Sequence, residues 1–169
     1  MKALGVVLFA VLTALAAQIS LPMVPVPMTL QSLAVGLAGG VLGARRGVAA
    51  MLLYLAAAAV GLPVLSDGRG GLAALVGPTA GYLVGFVLAV GAVGMAARRG
   101  WLTRPVTGIT ILSAAHLLIL GFGVTWLAQG MGWTDALAGG FTPFLAGAVL
   151  KSAAAWLILA GLTRVSYWR

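Results

Sequence analysis

The amino-acid sequence predicts an all-α integral membrane protein, a single bundle of six transmembrane helices over residues 1–169 with both termini cytoplasmic. Three observations carry that prediction. Of the 169 residues, 62% are hydrophobic and only 7% charged, and the mean hydropathy of +1.14 lies well outside the range of soluble domains. The apolar residues fall into six stretches, approximately 3–20, 29–44, 47–62, 78–97, 106–129 and 143–163, each near the length that crosses roughly 30 Å of hydrocarbon. The charges, finally, are sorted by side. Lys2 precedes the first stretch, Arg45 and Arg46 separate the second from the third, Arg98, Arg99 and Arg104 the fourth from the fifth, and Arg164 and Arg169 follow the sixth, so that these eight of the ten cations share one face. Cytoplasmic loops collect Lys and Arg, which places that face inside. The other face holds Arg69 and both acids, Asp67 and Asp135. The net charge of +8 is therefore topological, calling for a lipid bilayer and no nucleic acid as partner.

Taken in order, the first stretch begins Met1-Lys2 and runs into a proline-rich turn without an Ala-x-Ala cleavage site, so it reads as a span rather than a signal peptide. Ala10 and Ala14, with Thr13 and Ala17, give it a strip of small residues suited to docking. The turn Leu21–Gln31 is stiffened by Pro22, Pro25 and Pro27 and delivers Thr29 and Gln31 to the outer mouth of the next span, where Gln31 serves either a ligand or the start of the helix. Ser32, Gly36, Gly39, Gly40 and Gly43 make the second span only moderately hydrophobic, so it belongs among neighbouring helices. Small residues four apart, as in Gly36 with Gly40 and Gly81 with Gly85, let backbones approach closely, in monomer packing or at a homodimer face.

The outer loop 61–82 is dense in glycine and carries Asp67 and Arg69. Gly68, Gly70 and Gly71 are free to adopt positive φ and bring backbone amides to a ligand, as a lid over a pocket requires. Asp67 and Arg69 either meet polar atoms of that ligand or are simply solvated in a tight turn. Trp133 and Trp168 fall near span boundaries and fit interface anchoring, and Trp156, one turn beyond Lys151, faces either the pocket or lipid.

Lys151 is the charged side chain that the membrane makes most expensive. It lies eight residues, roughly 12 Å of helix, in from Pro143, and the spans contain no Asp or Glu. Its counter-charge is either a ligand's carboxylate entering from outside, or it is dispensed with by a carbonyl or a wet crevice. Other chemistries lack their residues. There is no cysteine, and His116, the sole histidine, has no acidic neighbour in sequence and reads as a packing residue. Nucleophile-elbow, zinc-protease and phosphate-loop patterns are absent, so neither an enzyme, an ATPase nor a cofactor is expected. A proton-coupled carrier would need intramembrane carboxylates.

The segments Val26–Gln31, Gly43–Gly47, Leu53–Leu55 running to Gly61-Leu62-Pro63, Gly68–Leu72, Gly77–Leu83 with Gly85-Phe86, and Pro143–Lys151 together resemble the BioY family, the biotin-specific substrate-binding (S) components of energy-coupling-factor (ECF) transporters. The resemblance spans nearly the whole chain. It implies a six-helix bundle in the bacterial inner membrane that binds biotin in an outward pocket under the external loops. Transport would be powered by a transmembrane coupling subunit, docked at Ala10 and Ala14, and by separate ATPase subunits. It further implies that Thr79 and Tyr82, in the Gly77–Leu83 segment, belong to the pocket with Lys151. One segment departs: where the family reads Pro-Gly-Asp, this chain has Ala146-Gly147-Ala148. The carboxylate expected to hydrogen-bond the ureido head is missing, and Asp67 is the candidate replacement. An S component for another carboxylate-bearing vitamin and a solitary biotin facilitator are the alternative readings.

Overall fold

The computed structural model describes residues 2–166. Trp168 and Arg169, given an anchoring role and a place in the charge map above, lie outside the described residues, as do the side chains of Lys2 and Arg164. Helix α1 (Lys2–Gln18) leads into a two-stranded antiparallel ribbon, β1 (Ser20–Leu21) and β2 (Met28–Thr29), with Ser20 opposite Thr29. Next come α2 (Gln31–Ala59), a 3-10 turn at Ser66–Gly68 and a single helical turn α3 (Leu72–Leu75). The chain then continues through α4 (Ala80–Arg98), α5 (Pro105–Met131), the eight-residue α6 (Trp133–Gly140) and α7 (Phe144–Ser166). Four of these helices, α2, α4, α5 and α7, are long and apolar enough to cross a membrane, and α1 is a shorter apolar helix. Leucines and valines cover the outside, which suits a helical protein whose solvent is lipid.

Helix α2 covers both the second and third predicted spans, and its course explains why. Gly43 breaks it at φ 73°, ψ 176°, a conformation that side chains with a Cβ avoid. In an unbroken helix Gln31 and Tyr54 would stand about 35 Å apart, yet their side chains hydrogen-bond. A Cβ at Gly47 would come within 3.4 Å of the Ala38 carbonyl. The two arms therefore run back along each other from a turn at Gly43, and Arg45 and Arg46 are exposed at that turn. Gly94 of α4 lies against the same turn, facing the backbone of Gly43 and Ala44, which brings Arg98, Arg99 and Arg104 to that end of the bundle. Arg99 also stacks over Trp101, its guanidinium 5.1 Å from the ring centroid.

Helix α1 buries Phe9, Ala10, Thr13 and Ala17 along one stripe, the i, i+3/i+4 spacing of a packed face. The predicted docking strip is thus turned largely inward: Ala10 is in the core and Ala14 is half-buried. Leu4, Val7, Leu8, Val11 and Leu15 form the face that α1 leaves open. At its end, Gln18 Nε2 donates to the Leu65 carbonyl at 3.1 Å, which ties α1 to the loop after α2.

Candidate ligand site

The end of the bundle opposite Arg45, Arg46, Arg98 and Arg99 holds a cavity to which every element after β1 except the short α3 and α6 contributes. The ribbon supplies Val26, Pro27 and Thr29, and the first turn of α2 adds Gln31 and Ser32. Leu65 and Ser66 close it from the loop, Thr79 lies just before α4, which supplies Tyr82, Leu83 and Phe86, α5 adds His116, Ile119 and Leu120, and α7 completes it with Phe144, Ala148 and Lys151. Apolar rings and aliphatic chains dominate, with a few polar groups converging, which is the usual make-up of a small-molecule site. About 60 Å³ is open to the centres of water-sized molecules, within about 640 Å³ of atom-free space that runs out to solvent.

Lys151 reaches this cavity half-buried and donates from Nζ to the Thr29 carbonyl at 3.1 Å. Both sequence readings of the lysine therefore meet here, since it uses a carbonyl and lines the cavity as well. An ammonium has three protons, so others are left for a ligand. Among the described residues no Asp or Glu lines the cavity; Ala148, one turn earlier on the same helix, is buried at its wall.

Gln31 belongs to a relay that fixes the roof. Thr29 Oγ1 donates to Gln31 Oε1 at 2.8 Å, Gln31 Nε2 donates to the Tyr54 hydroxyl, and that hydroxyl donates to the Val64 carbonyl at 3.1 Å. The ribbon, both arms of α2 and the outer loop are joined by these three bonds. Tyr54→Phe would leave the buried Gln31 amide and the Val64 carbonyl without partners, a cost of about 1–2 kcal/mol. The expected outcome is a lower unfolding temperature in detergent and faster amide hydrogen exchange in residues 61–71 than in α5, measured by mass spectrometry.

Tyr82 lies across the cavity, its ring 6.4 Å from that of Phe144 and its hydroxyl donating to the Gly140 carbonyl at 2.6 Å. A Cβ at Gly123 would fall 2.2 Å from this ring, so α5 carries glycine where the ring passes. The cavity thus brings together Gln31, Thr79, Tyr82 and Lys151 from the sequence-derived candidates. Asp67, Arg69, Gly70 and Gly71 lie in the roof but not in its lining. Asp67 and Arg69 are exposed and pair loosely at 3.7 Å, while Arg69 also donates to the Ser66 carbonyl and hydroxyl, both at 3.1 Å. Gly70 packs on the Leu62 carbonyl, and Gly71, at φ 86°, donates its N–H to the Ala58 carbonyl at 2.7 Å. These residues shape the loop that lowers Leu65 and Ser66 onto the site. Trp156 points elsewhere: its Nε1 donates to the Leu102 carbonyl at 3.0 Å, towards the arginine end.

Sequence reasoning passed over Ser32, Ser66, Phe86 and Phe144, whose positions depend on how the helices meet. It also took His116 for packing alone. His116 is indeed hydrogen-bonded, with Nδ1 2.9 Å from the Leu112 carbonyl and 3.0 Å from Ser152 Oγ, but its ring also lines the cavity. The signal available was the rarity of an ionisable ring at membrane depth.

Helices long and apolar enough to cross a membrane, packed around a polar-tipped, mostly apolar cavity, suit a small-molecule membrane transport protein, the class that the family match shows. The BioY family model matches residues 1–167, and the chain belongs to the BioY family. A protein of Rhizobium etli named "Biotin transporter BioY" is 43% identical over 149 residues, covering 83% of this chain and 79% of the relative. One of Thermotoga maritima with the same name is 36% identical over 167 residues, covering 96% and 95%. The solved structure of the S-component for biotin from an ECF-type ABC transporter shares the fold, with a TM-score of 0.85 at 24% identity over 96% of this chain and 90% of that one.

Proposed function

We propose that this chain is the biotin-binding S component of an ECF-type transporter in the cytoplasmic membrane. The observation that carries the reading is a half-buried lysine in a mostly apolar cavity with no carboxylate in its lining, in a chain of the BioY family. Biotin supplies the missing carboxylate for Lys151 and, through its sulfur-containing ring and aliphatic chain, apolar surface for Tyr82, Phe86 and Phe144. Gln31, Thr79 and Tyr82 are proposed to complete the contacts, with Asp67, Arg69, Gly70 and Gly71 forming the roof.

The two arms of α2, counted separately, bring the helical crossings to six, and with the exposed arginines at the inner face both termini are cytoplasmic. Energy comes from separate ATPase subunits through a transmembrane coupling subunit. The proposed docking element is α1, by its open leucine and valine face beside Ala14.

Isothermal titration calorimetry of biotin into detergent-purified protein tests the reading, with desthiobiotin as the comparison lacking the sulfur-containing ring. Saturable binding of biotin, weaker for desthiobiotin, is expected. A silent titration would overturn biotin as the ligand and turn attention to other carboxylate-bearing vitamins. Asp67 is not in the lining, so Asp67→Asn is expected to leave biotin affinity within about two-fold, the range typical of exposed charges. A larger loss in the same titration would make Asp67 a contact that the loop brings in on binding.

A further inference from the structure

His116 has an acceptor to offer that the protein itself does not use. The ring is 4% exposed. Its Nδ1 faces the Leu112 carbonyl at 2.9 Å, and a carbonyl oxygen only accepts, so Nδ1 carries the proton. Ser152 Oγ donates its own proton to the Ala148 carbonyl at 2.7 Å and so stands beside the same Nδ1–H as a second acceptor. In a neutral ring with this tautomer, Nε2 is a bare lone pair. Among the described residues Nε2 is buried without a hydrogen-bond partner.

The other polar side chains of the cavity differ: the Ser32 and Thr79 hydroxyls donate as well as accept, and none of the rest offers an unused, acceptor-only atom. Gln31 Oε1 accepts from Thr29 and the Ser66 hydroxyl accepts from Arg69, while Tyr82 donates to Gly140 and Lys151 only donates. Buried acceptors are seldom left unpaired, and an exception calls for an explanation, which a donor on the ligand supplies here. His116 also sits deeper than the lysine's charge. Its ring meets Ser152, one residue further along α7 than Lys151, whereas Lys151 extends its Nζ outward to the ribbon at Thr29.

We propose that His116 Nε2 is the specificity-determining acceptor for an N–H donor on the ligand, at the floor of the same cavity. The ligand then lies with its carboxylate at Lys151 near the mouth and its N–H group inward. This rests on the biotin reading, in which the donor is a ureido N–H. The site selects for molecules carrying an anionic end and an N–H end, and the imidazole takes the part of an acidic acceptor that Ala148 cannot play.

The chain has a single histidine, so protein labelled with ¹⁵N-histidine reports one ring. On titration with biotin the unprotonated Nε2 resonance is expected to move upfield, as on accepting a hydrogen bond, while Nδ1 remains protonated. His116→Phe is expected to lower biotin affinity by roughly 10- to 100-fold, the range for a ligand donor left unpaired, and His116→Gln, which offers a carbonyl acceptor, to recover part of it. Bound biotin with an unmoved Nε2 resonance, or a folded Phe variant with wild-type affinity, would overturn the proposal alone. Absence of biotin binding to the wild-type protein would overturn the biotin reading and this proposal with it.

Discussion

Lys151→Ala is expected to weaken biotin binding by about 3 kcal/mol, roughly 150-fold, because a carboxylate taken into an apolar cavity loses its charged donor. The loss should follow the ligand's charge. Biotin methyl ester and biotinamide, which have no anion to pair, are expected to bind the wild-type and Lys151→Ala proteins with similar, weaker affinity, and the double-mutant comparison assigns the coupling to the pair. Calorimetry on each pairing of protein and ligand measures it. Equal affinity of both proteins for biotin would leave the lysine as a tether to the Thr29 carbonyl and remove it from recognition.

Gly94→Ala is expected to destabilise the fold by about 3 kcal/mol or more, although alanine is the better helix former by about 1 kcal/mol. A Cβ there would lie 2.2 Å from the Ala44 nitrogen and 2.5 Å from the Ala44 Cα and the Gly43 carbonyl carbon. All three are backbone atoms, which cannot swing aside as a side chain does, so α4 must withdraw from the turn that joins the two arms of α2. Gly91→Ala, on the same helix, is the matched control: its Cβ would find Val48 at an ordinary 3.5 Å, and the gain in helix propensity should leave stability unchanged or raised. Thermal unfolding of the pair in detergent, followed by tryptophan fluorescence, separates the two outcomes. A Gly94→Ala protein as stable as Gly91→Ala would show that this helix contact is looser than its geometry.

The helices were legible because hydrocarbon demands long apolar runs and leaves little else to choose. Residues 106–129 anticipated Pro105–Met131, and 143–163 anticipated Phe144–Ser166. The break at Gly43 was also visible, as two arginines between two apolar stretches, although only tertiary contacts reveal that the arms fold back on each other. α6 was not foreseen: Trp133–Gly140 mixes polar and small residues and is too short for periodicity to register. In the site, Lys151 could be found from sequence because a charge at that depth needs a reason. Ser66 could not be assigned, since it is brought to the cavity by a loop pinned through Arg69, and for His116 its rarity at membrane depth was a signal while its place against Ser152 of α7 was not visible. Asp67 is the converse case, near the site in sequence while its side chain is exposed and outside the cavity lining.

The setting of Lys151 has an electrical consequence. With no carboxylate in the lining, its ammonium gives the site one net positive charge, and a bound carboxylate brings that to zero. On the proposed biotin reading, free and loaded proteins therefore differ by an elementary charge held partway through the bilayer. A full crossing of such a charge is worth about 2.3 kcal/mol per 100 mV, and a partial one a fraction of that. The loaded site is indifferent to membrane voltage, whereas the unloaded one is pulled toward a negative interior, so any reorientation that carries this lysine across the field is voltage-sensitive on the ligand-free leg alone.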